Sequence, residues 1–108
     1  MNSDLNRLFE TFKKMNDDDF DTDNYLKWGY FFVNTEKDPL LRIGEQLELQ
    51  GYSIEDLLKT EDDVWQLYIT KVEMLSAQKL HEKNLYFNKI AENNNVQLYD
   101  GWDVEKLS

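Results

Sequence analysis

Cysteine is absent from the chain. That excludes disulfides, thiol catalysis and any zinc site built on thiolates, and it fits a reducing compartment. Histidine occurs once, at His81. A helical metal pair would want its second ligand four residues on, and that position holds Leu85. The four glycines stand at 29, 44, 51 and 101, too scattered to form a phosphate loop, a dinucleotide fingerprint or a nucleophile elbow. Basic residues are few, 12 against 22 acidic ones, and the net charge is −10. So negative a surface repels phosphate backbones and anionic membranes. Direct binding to nucleic acid or membrane is therefore disfavoured, and a basic protein partner is favoured. No apolar run approaches the roughly 18–20 residues of a bilayer-crossing helix. The first residues are polar and of mixed charge, so no signal peptide is expected and a cytoplasmic location is.

What is present is aromatic. With 41% hydrophobic and 14% aromatic residues in 108 positions, the chain can bury a sizeable core. Leu5, Leu8, Phe9, Phe12 and Met15 recur at spacings of three and four, which predicts a helix over 3–15 capped by Ser3. A loop dense in aspartate follows, so residues 1–24 read as a helix and an acidic linker ahead of a domain over 25–108. Lys27 to Val33 is a strand with apolar residues on both faces, which predicts cover on both sides. Asp38 and Pro39 open a helix that Gly51 closes, with Leu40, Ile43, Gly44 and Leu47 inward and Leu41 widening the stripe. Tyr52 to Leu58 reads as a strand, or as a strand start followed by a turn. Val64 to Val72 is a strand. Ser76 caps a helix over 77–92, with Ala77, Leu80, Phe87, Ile90 and Ala91 inward, and Val96 to Tyr99 is the last strand.

That last strand runs into Asp100, Gly101 and Trp102. Glycine serves a backbone that needs positive φ or a close approach, so a sharp turn is expected there. A buried tryptophan hides about 150–250 Å², so Trp102 is expected to pin the chain onto the domain. Tyr99, Asp100 and Trp102 are thus either a C-terminal lock or part of a recognition surface. After the first helix the order is β-α-β-β-α-β. That describes an α+β, ferredoxin-like fold: an antiparallel sheet with two helices on one face, plus an N-terminal helix. If the N-terminal helix leaves the other sheet face bare, an aromatic-rich partner surface remains.

Trp28-Gly29-Tyr30-Phe31-Phe32, Leu49-Gln50-Gly51-Tyr52 and Val96-Gln97-Leu98-Tyr99-Asp100-Gly101-Trp102 together resemble the regulator of ribonuclease E activity B family, also called the ribonuclease E inhibitor domain. The resemblance covers about residues 25–103. It implies a small, acidic, ferredoxin-like cytoplasmic protein without a catalytic site, which binds an RNA-degrading endoribonuclease and restrains it; the residues themselves lead to the expectation of no metal and no cofactor. Family members can carry an acidic tail after Asp-Gly-Trp. Here six residues follow Trp102, and the acidic cluster stands before the domain.

That cluster alternates Asp17, Asp19, Asp21 and Asp23. A calcium loop would need glycine sixth and glutamate twelfth. From Asp17 those positions hold Thr22 and Trp28, and from Asp19 they hold Asn24 and Tyr30. The motif fails, which leaves a solvated linker or an electrostatic contact. Three functions are weighed. The first is a non-catalytic regulator of RNA degradation, whose partner-binding residues are Asp17, Asp19, Asp21, Asp23, Glu61, Asp62, Asp63, Tyr99, Asp100 and Trp102. With the rest of the acidic stretch from Glu55 to Asp63 they would engage a ribonuclease or its basic RNA-binding segment, while aromatic contacts supply affinity. The second is an immunity-type protein neutralising a toxin, or a generic ferredoxin-like binding module. The third is a small hydrolase using carboxylates.

Overall fold

The computed structural model describes residues 1–107; Ser108 lies outside them. Alternation in β1 (Leu26–Asn34) organises the molecule. Its even-numbered residues are buried, with Trp28, Tyr30 and Phe32 fully so. β1 pairs antiparallel with β3 (Trp65–Glu73) on one side and β4 (Leu98–Glu105) on the other. β2 (Ser53–Lys59) pairs antiparallel with β3, so the four-stranded sheet has the order β2-β3-β1-β4. The three helices are α1 (Leu5–Asp17), α2 (Lys37–Glu48) and α3 (Ala77–Asn93).

All three helices cover the even side of β1. Phe12 of α1 stacks on Trp28 at 5.8 Å, and Phe87 of α3 meets Tyr30 at 4.7 Å and Phe32 at 5.6 Å. Leu40, Ile43 and Leu47 of α2 join the same core. Gly44 lets α2 settle on Ile54 of β2, whose Cδ1 a Cβ would approach to 2.9 Å. The expectation that β1 is covered on both sides is corrected: Lys27, Phe31 and Val33 on its odd side are only partly buried. The apolar stripe of α1 finds Trp28 and packs beside α3, so no helix is left for the other face.

Several boundaries move for local reasons. Ser3 does not cap α1; Asp4 does, accepting from the backbone amides of Asn6 and Arg7. The Ser3 hydroxyl meets Nδ1 of His81 at 2.8 Å and accepts from Asn84 at 3.2 Å, tying the chain ahead of α1 to α3. Asp38 is not the cap of α2. It sits in the first turn, where a carboxylate opposes the positive end of the helix. Pro39 still needs no donor there. Gly51, at φ +94°, turns the chain after α2, and Ser76 caps α3. Leu41 faces solvent.

The largest correction concerns Asp100-Gly101-Trp102. The chain does not reverse there; these residues lie inside β4. Tyr99 pairs with Phe32 and Gly101 with Phe31, so Asp100 is the extra residue of a bulge, and Gly101 takes φ +127°. The same Asp-Gly signal serves a turn or a bulge. Here β1 offers partners as far as Lys27, and β4 keeps pairing with it to Glu105. Trp102 is pinned as expected, 5.7 Å from Trp28.

Candidate partner-binding face

The side of the sheet away from the helices is a grid set by strand register. Four rows cross it: Glu105, Lys27 and Val72; Asp103, Gly29, Thr70 and Ser53; Gly101, Phe31, Tyr68 and Asp56; Leu98, Val33, Gln66 and Leu58. Successive rows are about 7 Å apart, two residues along a strand. Glu55 joins the face from a bulge in β2, between Ile54 and Asp56. Leu58, Val72 and Leu98 are exposed, and Phe31 and Val33 are partly so.

Two side-chain clusters hold this surface in shape. Tyr68 lies diagonally over Gly29 and donates its hydroxyl proton to Asp103 across β1, at 3.0 Å. Its ring stacks on Phe31 at 4.5 Å with the planes 13° apart. A Cβ on Gly29 would come within 2.4 Å of the Tyr68 ring and 2.3 Å of the Asp103 carboxylate. Burial, then the bond to Asp103, pushes the Tyr68 hydroxyl well above the usual tyrosine range. In the second cluster Glu55 accepts from the Thr70 hydroxyl at 2.7 Å and pairs with Lys27 at 3.3 Å. The Thr70 hydroxyl first, and then Lys27, hold the Glu55 carboxyl below its ordinary range. Lys27, the one cation in the rows, is thereby engaged. Among the described residues no cation lies within ion-pair range of Asp56, Asp103 or Glu105.

The residues singled out from sequence fall in three places. Asp17, Asp19, Asp21 and Asp23 are exposed at the end of α1 and on the loop into β1, at the end of the sheet that carries Glu105. Asp19 adopts φ +68° there, and the Lys106 ammonium lies 4.9 Å from the Phe20 ring. Glu61, Asp62 and Asp63 form the turn between β2 and β3, at the other end of the sheet. Lys59 pairs with Asp63 at 2.8 Å and holds its carboxyl low. The two acidic clusters therefore flank the face and do not merge. Asp100 is exposed at the bulge. Trp102 is half-buried against Trp28 on the helix side. Tyr99 is 1% exposed and donates to Asn84 at 2.6 Å. Tyr99 and Trp102 thus serve the core, and these three do not form one surface.

Sequence reading names the acidic stretch Glu55 to Asp63 but not Asp103 and Glu105, and it does not bring these carboxylates together around Phe31 and Tyr68. The alternation in each strand assigns their side, but only cross-strand register brings them together. A further polar cluster lies on the helix side, where Lys83 bonds to Glu73 at 2.6 Å and to the Tyr52 hydroxyl. Among the described residues no three of His, Asp and Glu converge as metal ligands, and no helix is long and apolar enough to cross a membrane.

Compared with known families, residues 8–104 match the family described as regulator of ribonuclease activity B. The match runs from within α1 into β4 and takes in every strand of the sheet. No curated protein matches the chain.

Proposed function

The chain belongs to the regulator of ribonuclease activity B family, and on that premise we propose that it is a non-catalytic, cytoplasmic protein that binds a ribonuclease and restrains it. The observation that carries the reading is the bare, carboxylate-bearing sheet face of a protein with net charge −10. Such a surface is suited to a cationic protein segment and repels RNA itself. A ribonuclease must present cations to hold its substrate. A protein that covers those cations competes with RNA without chemistry of its own.

In this mechanism Asp17, Asp19, Asp21, Asp23, Glu61, Asp62 and Asp63 steer the encounter, because exposed like charges act over a Debye length and raise the association rate. Asp100 adds to that field. Trp102 and Tyr99 act from beneath, by holding β4 in place. We read the domain as ferredoxin-like over residues 25–108, with residues 1–24 as an added helix and acidic loop. The order β2-β3-β1-β4 with three antiparallel pairings supports that reading.

The test is RNA cleavage by a purified endoribonuclease of the source cell, with and without the chain, over a salt series. The chain is expected to slow cleavage, and less so as the Debye length shrinks from about 30 Å at 0.01 M to about 8 Å at 0.15 M salt. Replacing the four aspartates Asp17, Asp19, Asp21 and Asp23 by asparagine should slow association several-fold. Cleavage indifferent to the chain at every ionic strength would refute the proposal, as would RNA cleavage by the chain alone.

A further inference from the structure

We propose that the uncovered sheet face is where the ribonuclease is held, and that the segment it takes is an apolar stretch flanked by cations. This deepens the reading above and rests on it. The argument comes from the order of the rows. At one end stand Glu105 and Asp103, next to the aspartate loop. In the middle Phe31 and Tyr68 stack with Asp56 at the edge of their row, and next to them Leu98, Val33 and Leu58 form a row interrupted by Gln66. Beyond them the turn between β2 and β3 carries Glu61, Asp62 and Asp63. A mainly apolar strip bounded by carboxylates at both ends is complementary to a segment of the opposite pattern.

Span and rigidity fix the occupant further. The four rows cover about 20 Å, which is about six residues of extended chain or about thirteen of a helix. Tyr68 is already locked over Gly29 by its bond to Asp103, so little side-chain freedom is lost when a partner covers it. Stacked aromatics on a sheet also suit nucleic-acid bases. Here Glu55, Asp56, Asp103 and Glu105 surround them where an RNA-binding sheet would place lysine and arginine. A second copy of the chain would bring the same carboxylates into the contact and repel.

The experiment compares the full chain with two variants for binding to the purified ribonuclease. One carries Asp56→Asn and Leu58→Ser on the face, both exposed in β2. The other carries Leu85→Ser, equally exposed but on α3. The face variant should bind about tenfold more weakly, as expected for loss of contacts at the centre of an interface, and the helix variant within about twofold of the parent. Circular dichroism and gel filtration confirm that each remains folded. Equal binding by parent and face variant would overturn the site while leaving the regulator function standing. So would a parent that elutes as a dimer and a face variant that elutes as a monomer, or single-stranded RNA that binds the parent and not the face variant. No binding of the ribonuclease by the parent would overturn both readings.

Discussion

Gly29 shows how one missing side chain shapes a surface. The Tyr68 ring and the Asp103 carboxylate fill the space a Cβ would occupy. Replacing Gly29 with alanine should lift Tyr68 off β1 and break its bond to Asp103. Overpacking of this kind costs about 1–3 kcal/mol, to be read from urea denaturation. Adding Tyr68→Ala to Gly29→Ala should recover part of the loss, because the ring is what the new methyl strikes. Lack of recovery would place the glycine's role elsewhere. None of this is legible in Trp28-Gly29-Tyr30, which reads as plain strand. The reason for the glycine comes from a strand far along the chain. Asn84 is a parallel case: a polar residue within an apolar stripe, it is fully buried because Ser3 and Tyr99 meet it from two other segments.

Among the elements, α1 teaches most about what periodicity can decide. Its stripe of Leu5, Leu8, Phe9, Phe12 and Met15 predicts a helix with a buried side, and the helix is there. Only Leu8 and Phe12 are buried, while Phe9 stays exposed. The stripe does not say which surface will receive it, and the consequence is large: by docking on Trp28, α1 leaves the other face of the sheet bare. Phe12→Ala should cost about 3–5 kcal/mol, the usual range for emptying a buried phenylalanine site. Hydrogen exchange should show α1 losing protection before the sheet does. If α1 keeps its protection, the Phe12–Trp28 stack is not what anchors it. Strand β2 and the length of β4 were less legible, since each depends on a bulge. Asp-Gly announces positive φ, but whether the chain then reverses or pairs onward depends on the strand beside it.

At the scale of the whole molecule, tyrosine burial sets a limit on the alkaline side. Burial is the first cause of raised hydroxyls at Tyr30, Tyr52, Tyr68 and Tyr99. A group whose folded value lies above its unfolded value near 10 stabilises the fold below that pH, and the contribution is lost as pH rises past it. Stability should therefore decline above about pH 10. Absorbance titration should show the fully buried Tyr30 and Tyr99 ionising together with loss of tertiary structure. Their ionisation in a still folded chain would contradict their burial. On the acid side Glu55 and Asp63 have lowered values, so their smaller contributions fade as pH falls through the carboxylate range.

The two bulges have one more consequence. β2 and β4 are the outermost strands, and each breaks step with its neighbour, one at Glu55 and the other at Asp100. Neither rim of the sheet then offers an unbroken ladder of free amides and carbonyls, so another chain cannot zip on lengthwise and seed a fibril. Concentrated solutions should stay clear, and visitors are left to approach broadside.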